Sequence, residues 1–313
     1  MRNILEKKIY TDIYKTLDFF KHELVNFNGI TTQLKPCSGE IPELNGIDIY
    51  GEAIPLNGVA GGDHIIYLDF NNRYDLDHRI AEAQNANLSG VKGKLKLNKR
   101  RAGILLADAA GHNITDALQV AMLHQAFLTG VQYELMRNGE VTADLFEILN
   151  TRFFNSSSLS KFITLIYGEI SDTGKFRFIS AGHPLPVVFS NQYDKLIQVC
   201  FQQMYGCPPI GTLPSKEDMD SNCNVSRLGY KKKYSVHQIN LTVKGDILLL
   251  YSDGLSEHNI DNMETLYFPL RLENTLRRIK NGSAKEIYFN LKEDLLNFAT
   301  PEDDMSFVVI KKI

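Results

Sequence analysis

Residues 101–137 read RAGILLADAAGHNITDALQVAMLHQAFLTGVQYELMR. The first part is a strand-length apolar run that stops on Asp108. The second is a helical pattern over about 115–137, apolar on most sides through Ala117, Leu118, Val120, Leu123 and Phe127. A helix that is apolar nearly all round is expected to be buried. A strand that ends in an acid therefore leads directly into a buried helix, and a second helical pattern follows at about 141–154.

The same grammar continues on either side. Short apolar, β-branched runs of strand length fall at 64–70, 103–108, 162–170, 175–181, 184–189, 236–243, 246–252 and 305–311. Two more helical patterns lie near 269–280 and 283–299, the last opened by Ser283 and Glu286 in a capping box. The helices come in pairs between blocks of strands, which argues against a doubly wound parallel sheet. The expected class is α+β, a mostly antiparallel sheet assembly covered by helices. Residues 1 to about 28 form a further helical pattern through Ile4, Ile9, Ile13, Leu17, Phe20 and Leu24. This helix either packs on a core or serves as a linker or dimer contact. The expected organisation is a helical segment at 1–34 and one domain at 35–313.

Bulk properties narrow the choices. The chain has 313 residues, 43% of them hydrophobic and 23% charged, with a net charge of -3. That is ordinary for a globular protein, and no global basic field points to nucleic acid. The basic run VKGKLKLNKRR at 91–101 reads as a solvated loop, with a contact for something acidic as the other reading. Cys37, Cys200, Cys207 and Cys223 form no CxxC pair and no zinc spacing, so reduced thiols are expected. The first residues lack the apolar stretch of a signal peptide, and no run of 18 apolar residues occurs. A cytoplasmic protein without a membrane span is the expectation.

Four acidic positions share one local design. GVAGGD ends in Asp63; GILLAD ends in Asp108; GDILLLYSDG carries Asp253 after its apolar run; and EDDMSFVVIK places Asp303 and Asp304 before one. A strand end fixes a carboxylate, and a neighbouring glycine admits a close approach of backbone or ligand. Converging carboxylates repel one another and raise their own pKa values. A hard divalent cation such as Mg²⁺ or Mn²⁺ removes that repulsion. Two such ions would hold a phosphate and activate water. Taken singly, Asp253-Gly254 or Gly61-Gly62-Asp63 reads more readily as a turn or loop; order and spacing together carry the weight.

These residues resemble a family. Gly61-Gly62-Asp63, Asp108 with Gly111-His112, FITLIYGEI with GKFRFISAGHPLP, PPIGTLP at 208–214, GDILLLYSDGLSE, and Asp303-Asp304-Met305-Ser306 occur in the order seen in RsbU-like, sporulation stage II protein E type phosphatases, within the type-2C metal-dependent protein phosphatases. The resemblance covers about 35–313. It implies an antiparallel β-sandwich flanked by helix pairs, and two Mn²⁺ or Mg²⁺ ions at one end of it. It also implies Asp63, Asp108, Asp253 and Asp303 as metal ligands, Asp108 bridging, with the backbone carbonyl of Ala109 and, at a lower rank, Asp304. Asp108 and Asp253 would act through a water shared by the ions. The implied reaction is hydrolysis of phosphoserine or phosphothreonine on a protein, with an anti-anti-sigma (STAS-type) regulator as substrate. A partner or a second copy would engage the N-terminal helix.

Three departures stand out. Ile66 occupies a position where relatives often carry a second acid, although Asp69 keeps even spacing from Asp63. Asn113 follows His112 where a glycine is common, and the stretch 71–101 is long enough to form a flap or partner surface. His112 lies four residues after Asp108 rather than two, which leaves it either an acid or a structural residue at the helix start. His183 reads as a strand corner, His64 as pointing away from Asp63, and His124 as a core histidine. A catalytically inactive, partner-binding version of the fold is the alternative function. A nucleotidyl cyclase, a P-loop enzyme and a serine hydrolase lack their local signatures.

Overall fold

A computed structural model describes residues 2–34, 40–56, 61–111, 114–156, 161–198, 207–217, 223–260 and 265–313. The chain divides into two compact units, Met1–Lys35 and Pro36–Ile313. The first is one helix, α1 (Arg2–Thr32), whose Ile13, Leu17, Phe20 and Leu24 side chains are exposed.

In chain order the second unit runs β1 (Ile47–Ile54), β2 (Asp63–Asp69), α2 (Phe70–Arg73), α3 (Leu76–Asn85), α4 (Ser89–Asn98), β3 (Arg101–Ala109), α5 (Ile114–Arg137), α6 (Ala143–Ser156), β4 (Ile163–Ser171), β5 (Lys175–Ala181), β6 (Val187–Ser190), β7 (Lys195–Gln198), β8 (His237–Asn240), β9 (Ile247–Tyr251), α7 (Asp253–Ser256), β10 (Asn259–Ile260), β11 (Thr265–Leu266), α8 (Leu270–Ile279), α9 (Ala284–Phe298) and β12 (Met305–Lys312). One sheet has the order β1-β12-β9-β6-β7 and the other β2-β3-β4-β5-β8, with every pairing antiparallel; β10 and β11 form a separate ribbon.

Strand alternation sorts the side chains into layers. Ile65, Tyr67, Ile104 and Leu106 from one sheet meet Leu248, Leu250, Val308 and Ile310 from the other in the central core. The opposite parity, Ile66, Leu105 and Leu165, packs under Leu123 and Phe127 of α5 and Phe146 of α6. On the far side Leu249, Phe307 and Val309 pack under Leu272 and Leu276 of α8 and Ile287 and Leu291 of α9. The result is the expected helix–sheet–sheet–helix sandwich. Each fully buried Leu or Ile contributes roughly 1.5–3 kcal/mol, so the three layers together hold the sheets in register.

Local details agree with the sequence signals at α9, where the Ser283 hydroxyl accepts from the Glu286 amide and Glu286 accepts from the Ser283 amide. The stretch 71–101 holds most of α2, with α3 and α4. The structure corrects one expectation. The basic run is not a loop: most of it is α4, and Lys94, Lys99, Arg100 and Arg101 pair with Glu140, Asp77, Asp172 and Glu169. Those pairs engage four of its six basic side chains. Cys207 and Cys223 are free thiols, while Cys37 and Cys200 lie outside the described residues.

Candidate active site

Asp63 opens β2 and stands directly opposite Asp108 near the end of β3. Both share parity with the central core (63 with 65 and 67, 108 with 106 and 104), so both carboxylates cap that core at one end of the sandwich. The other sheet contributes from two neighbouring strands. Asp253 follows β9 as the first residue of α7, and Asp303 precedes β12. The Ser252 amide donates to the Ser306 carbonyl at 2.9 Å, which ties these two strand ends together. The site is thus built from two strand ends of each sheet.

Ser252 joins the sheets. Its hydroxyl donates to Asp63 Oδ2 at 2.7 Å and accepts from the Ser306 amide at 3.0 Å. Asp304 is buried and accepts from the Leu56 and Gly62 amides at 2.6 Å each. It braces the segment that leads into Asp63. A β-carbon at Gly61 would collide with the Asp304 carboxylate, and one at Gly62 would lie 2.6 Å from the Ala109 carbonyl oxygen. Both glycines are there because the backbone must pass this close.

The electrostatics are those of crowded acids. Burial pushes Asp63 up to about 8, against the Ser252 hydroxyl that favours its ionised form; the charges of Asp304 and Asp253 add to the rise. Burial pushes Asp108 up to about 9, with Asp63, Asp253 and Asp303 adding to it. Asp253 is also raised, by burial first and then by Asp303 and Glu257, and it shares a hydrogen bond with Asp108. Asp303 is exposed, and its Oδ1 accepts from the Asp304 amide at 2.8 Å. Four hard carboxylates and a nearby backbone carbonyl, with Asp63, Asp108 and Asp253 raised in proton affinity by burial and by neighbouring acids, fit a divalent metal ion. Among the described residues no three His, Cys, Asp or Glu side chains are gathered around one point.

The family model described as Stage II sporulation protein E (SpoIIE) matches residues 98–312, well over half of the chain. The chain belongs to the SpoIIE family. It is 25% identical over 219 residues to phosphoserine phosphatase RsbU of Bacillus subtilis, covering 69% of this chain and 57% of that protein. It is 28% identical over 176 residues to phosphoserine phosphatase RsbP of the same organism, covering 55% and 38%. The match thus spans little more than half of one of these curated relatives and less of the other. Among solved structures, the SiaA-PP2C domain of Pseudomonas aeruginosa matches with a TM-score of 0.61 at 14% identity, over 95% of this chain and 98% of that one. The RsbU and RsbW domains of Rv1364c from Mycobacterium tuberculosis match with a TM-score of 0.58 at 20% identity, over 87% and 61%. These structures show that the fold is of the PP2C type.

Placed on this SpoIIE-family fold, the remaining candidates separate. Ile66 points to the α5 side and is buried there, and an unpaired carboxylate at that position would cost several kcal/mol. Asp69 sits at the other end of β2, where it caps α2 by accepting from the Asn71 and Asn72 amides. His64 points away from Asp63 and meets His124 of α5 at 2.8 Å, Nε2 to Nδ1; burial lowers the pKa of His124. His183 is buried, and burial holds it down to about 3, so it is neutral; its Nδ1 meets Thr164 Oγ1 at 2.9 Å. His112 lies outside the described residues. Sequence reasoning missed Ser252. Its only local signal is its place between an apolar run and Asp253, and its partner Asp63 lies 189 residues away.

Proposed function

We propose that the chain is a metal-dependent serine/threonine protein phosphatase. The observation that carries this reading is the placement of Asp63, Asp108, Asp253 and Asp303 at strand ends, two from each sheet, with burial and neighbouring acids raising the proton affinity of Asp63, Asp108 and Asp253. Asp63, Asp108, Asp253, Asp303 and the Ala109 carbonyl would hold Mn²⁺ or Mg²⁺, with two ions the number that the family resemblance suggests. Such ions supply charge neutralisation for a phosphate and a water nucleophile at neutral pH. The protein's own part is to fix the carboxylates on strand ends. Ser252 orients Asp63 and keeps it ready to ionise, while Asp304 holds the Gly61–Gly62 backbone. Phosphomonoester hydrolysis has a very high barrier, so such electrostatic preorganisation has to supply most of the acceleration.

The substrate we infer is a phosphoserine or phosphothreonine protein, specifically a STAS-type regulator in a cytoplasmic partner-switching pathway; the similarity to RsbU and RsbP supports this class. No helix among the described residues is long and apolar enough to cross a membrane. The exposed apolar side chains of α1 support a role in pairing with a second copy or a regulatory partner. Full-length chain should then sediment as a dimer or bind its partner, and a chain lacking residues 1–28 should do neither. Ile66, at a position where relatives often carry a second acid, favours a second reading, an inactive binding module.

One experiment separates them. Hydrolysis of p-nitrophenyl phosphate and of a phosphoserine peptide is measured with Mn²⁺, with Mg²⁺ and with chelator, beside Asp253→Asn. Metal-dependent turnover lost in the variant supports the enzyme. No turnover together with no Mn²⁺ uptake by calorimetry supports the module.

A further inference from the structure

The turn Ala109–Gly111 carries the proposed backbone ligand and is gripped from two sides. On one side the Ala109 amide donates to the Gly62 carbonyl at 3.0 Å, and the Ala109 and Gly111 carbonyl oxygens press against Gly62. On the other side stand two residues that the catalytic reading does not use. Asp116, in the first turn of α5, is wholly buried and forms an ion pair with Lys161, which lies just before β4. Lys161 Nζ also donates to the Ala110 carbonyl at 3.4 Å, and the Ala110 amide donates to the neighbouring Phe162 carbonyl at 3.0 Å. Gly111 has φ +118°, and a β-carbon on it would lie 2.6 Å from Asp116 Oδ2. The carboxylate therefore rests directly on the turn.

Stability alone is a poor reason for such a pair. A buried ion pair is commonly matched or bettered by well-packed apolar side chains, because desolvation offsets the attraction. The pair does offer a directional link that apolar packing lacks. Lys161 reaches both Asp116 and a carbonyl of the turn, so α5, the turn and the entry to β4 are fixed to one another. The two charges are of opposite sign, so the link adds no net charge behind a cluster of acids that must receive a cation.

We propose that Asp116 and Lys161 are positioning residues that fix the Ala109–Gly111 turn, so that the Ala109 carbonyl is held beside Asp63 and Asp108 for a divalent ion. Their role rests on the metal-dependent reading above. The test is the double variant Asp116→Ala/Lys161→Met, which removes one charge of each sign and leaves the net charge unchanged. Mn²⁺ affinity is measured by calorimetry, unfolding by thermal denaturation in chelator, and turnover as a function of Mn²⁺. The expected result is Mn²⁺ binding weakened at least tenfold and a matching rise in the Mn²⁺ concentration for half-maximal turnover. The metal-free melting temperature should stay within a few degrees of wild type, and kcat at saturating Mn²⁺ should be largely kept. Mn²⁺ affinity within twofold of wild type overturns the positioning role and leaves the phosphatase reading standing. A wild-type chain that takes up no Mn²⁺ overturns both. Should the double variant not fold, Asp116→Asn/Lys161→Met keeps the shape of the acid and is judged by the same thresholds.

Discussion

Two carboxylate clusters in this fold have opposite characters. Asp294 on α9 gathers donors: the Arg271 guanidinium binds both of its oxygens at 3.1 Å, and Tyr267 and Thr275 donate at 2.7 and 2.9 Å. Against the partial burial that pushes it up, these bonds hold Asp294 down to about 2. Asp63 and Asp108 sit at about 8 and 9, facing other acids. The first cluster is complete without help and serves the α8–α9 layer. The second has no basic partner among the causes of its shifts, and its raised proton affinity is what supports the proposal of a cation site there.

The largest break in this contrast should come from exchanging one acid in each cluster. Asp108→Asn should lower metal-dependent turnover roughly a thousandfold, since several kcal/mol of transition-state stabilisation pass through it. The same change should raise the melting temperature of metal-free protein at pH 10, where Asp108 is ionised, because it removes a buried charge from a repulsive group. Asp294→Asn should do the reverse, costing about 1–2 kcal/mol of stability and leaving turnover within about twofold. Parallel kinetics and melting curves check both, and equal loss of turnover in the two variants would erase the distinction.

A smaller effect should appear in pH. Asp63 and Asp108 bind protons more tightly folded than unfolded, so their contribution to metal-free stability is full below about pH 4 and is lost as pH rises through 8 and 9. Asp294 has the opposite sign: its contribution is present above pH 4 and is lost as pH falls through about 2. Melting temperature against pH in chelator should therefore decline from pH 5 to pH 9. In saturating Mn²⁺ the decline should flatten or reverse, because the bound form needs ionised carboxylates. Identical slopes in chelator and in Mn²⁺ would mean that the acids hold no ion.

Much of this could be read from the chain because the relevant information is local. Acids that follow or begin an apolar run beside a glycine or another acid singled out Asp63, Asp108, Asp253 and Asp303 as candidates, and the structure places them at strand ends. The α5 and α6 pair and the α9 capping box were equally legible. What escaped the sequence depends on contacts across long separations. Ser252 matters because a strand of the other sheet brings Asp63 within 2.7 Å. Asp304 also reaches across the chain, its oxygens accepting from the Leu56 and Gly62 amides, 248 and 242 residues away. The helices of 71–101 were missed because α3 and α4 are short and polar, with few apolar positions to mark a period.

The register of β2 on β3 has a consequence for how such a molecule can change. Asp63 and Asp69 lie at opposite ends of one strand, roughly 20 Å apart, and the chain that links β2 to β3 leaves from the Asp69 end. Material spliced into that link lengthens the molecule away from the acids, while the pairing of Asp63 with Asp108 is set by the ladder between them. α3 and α4 occupy that link. The sandwich thus behaves as a holder with a fixed working tip and an exchangeable handle, and the handle can be redesigned without recutting the tip.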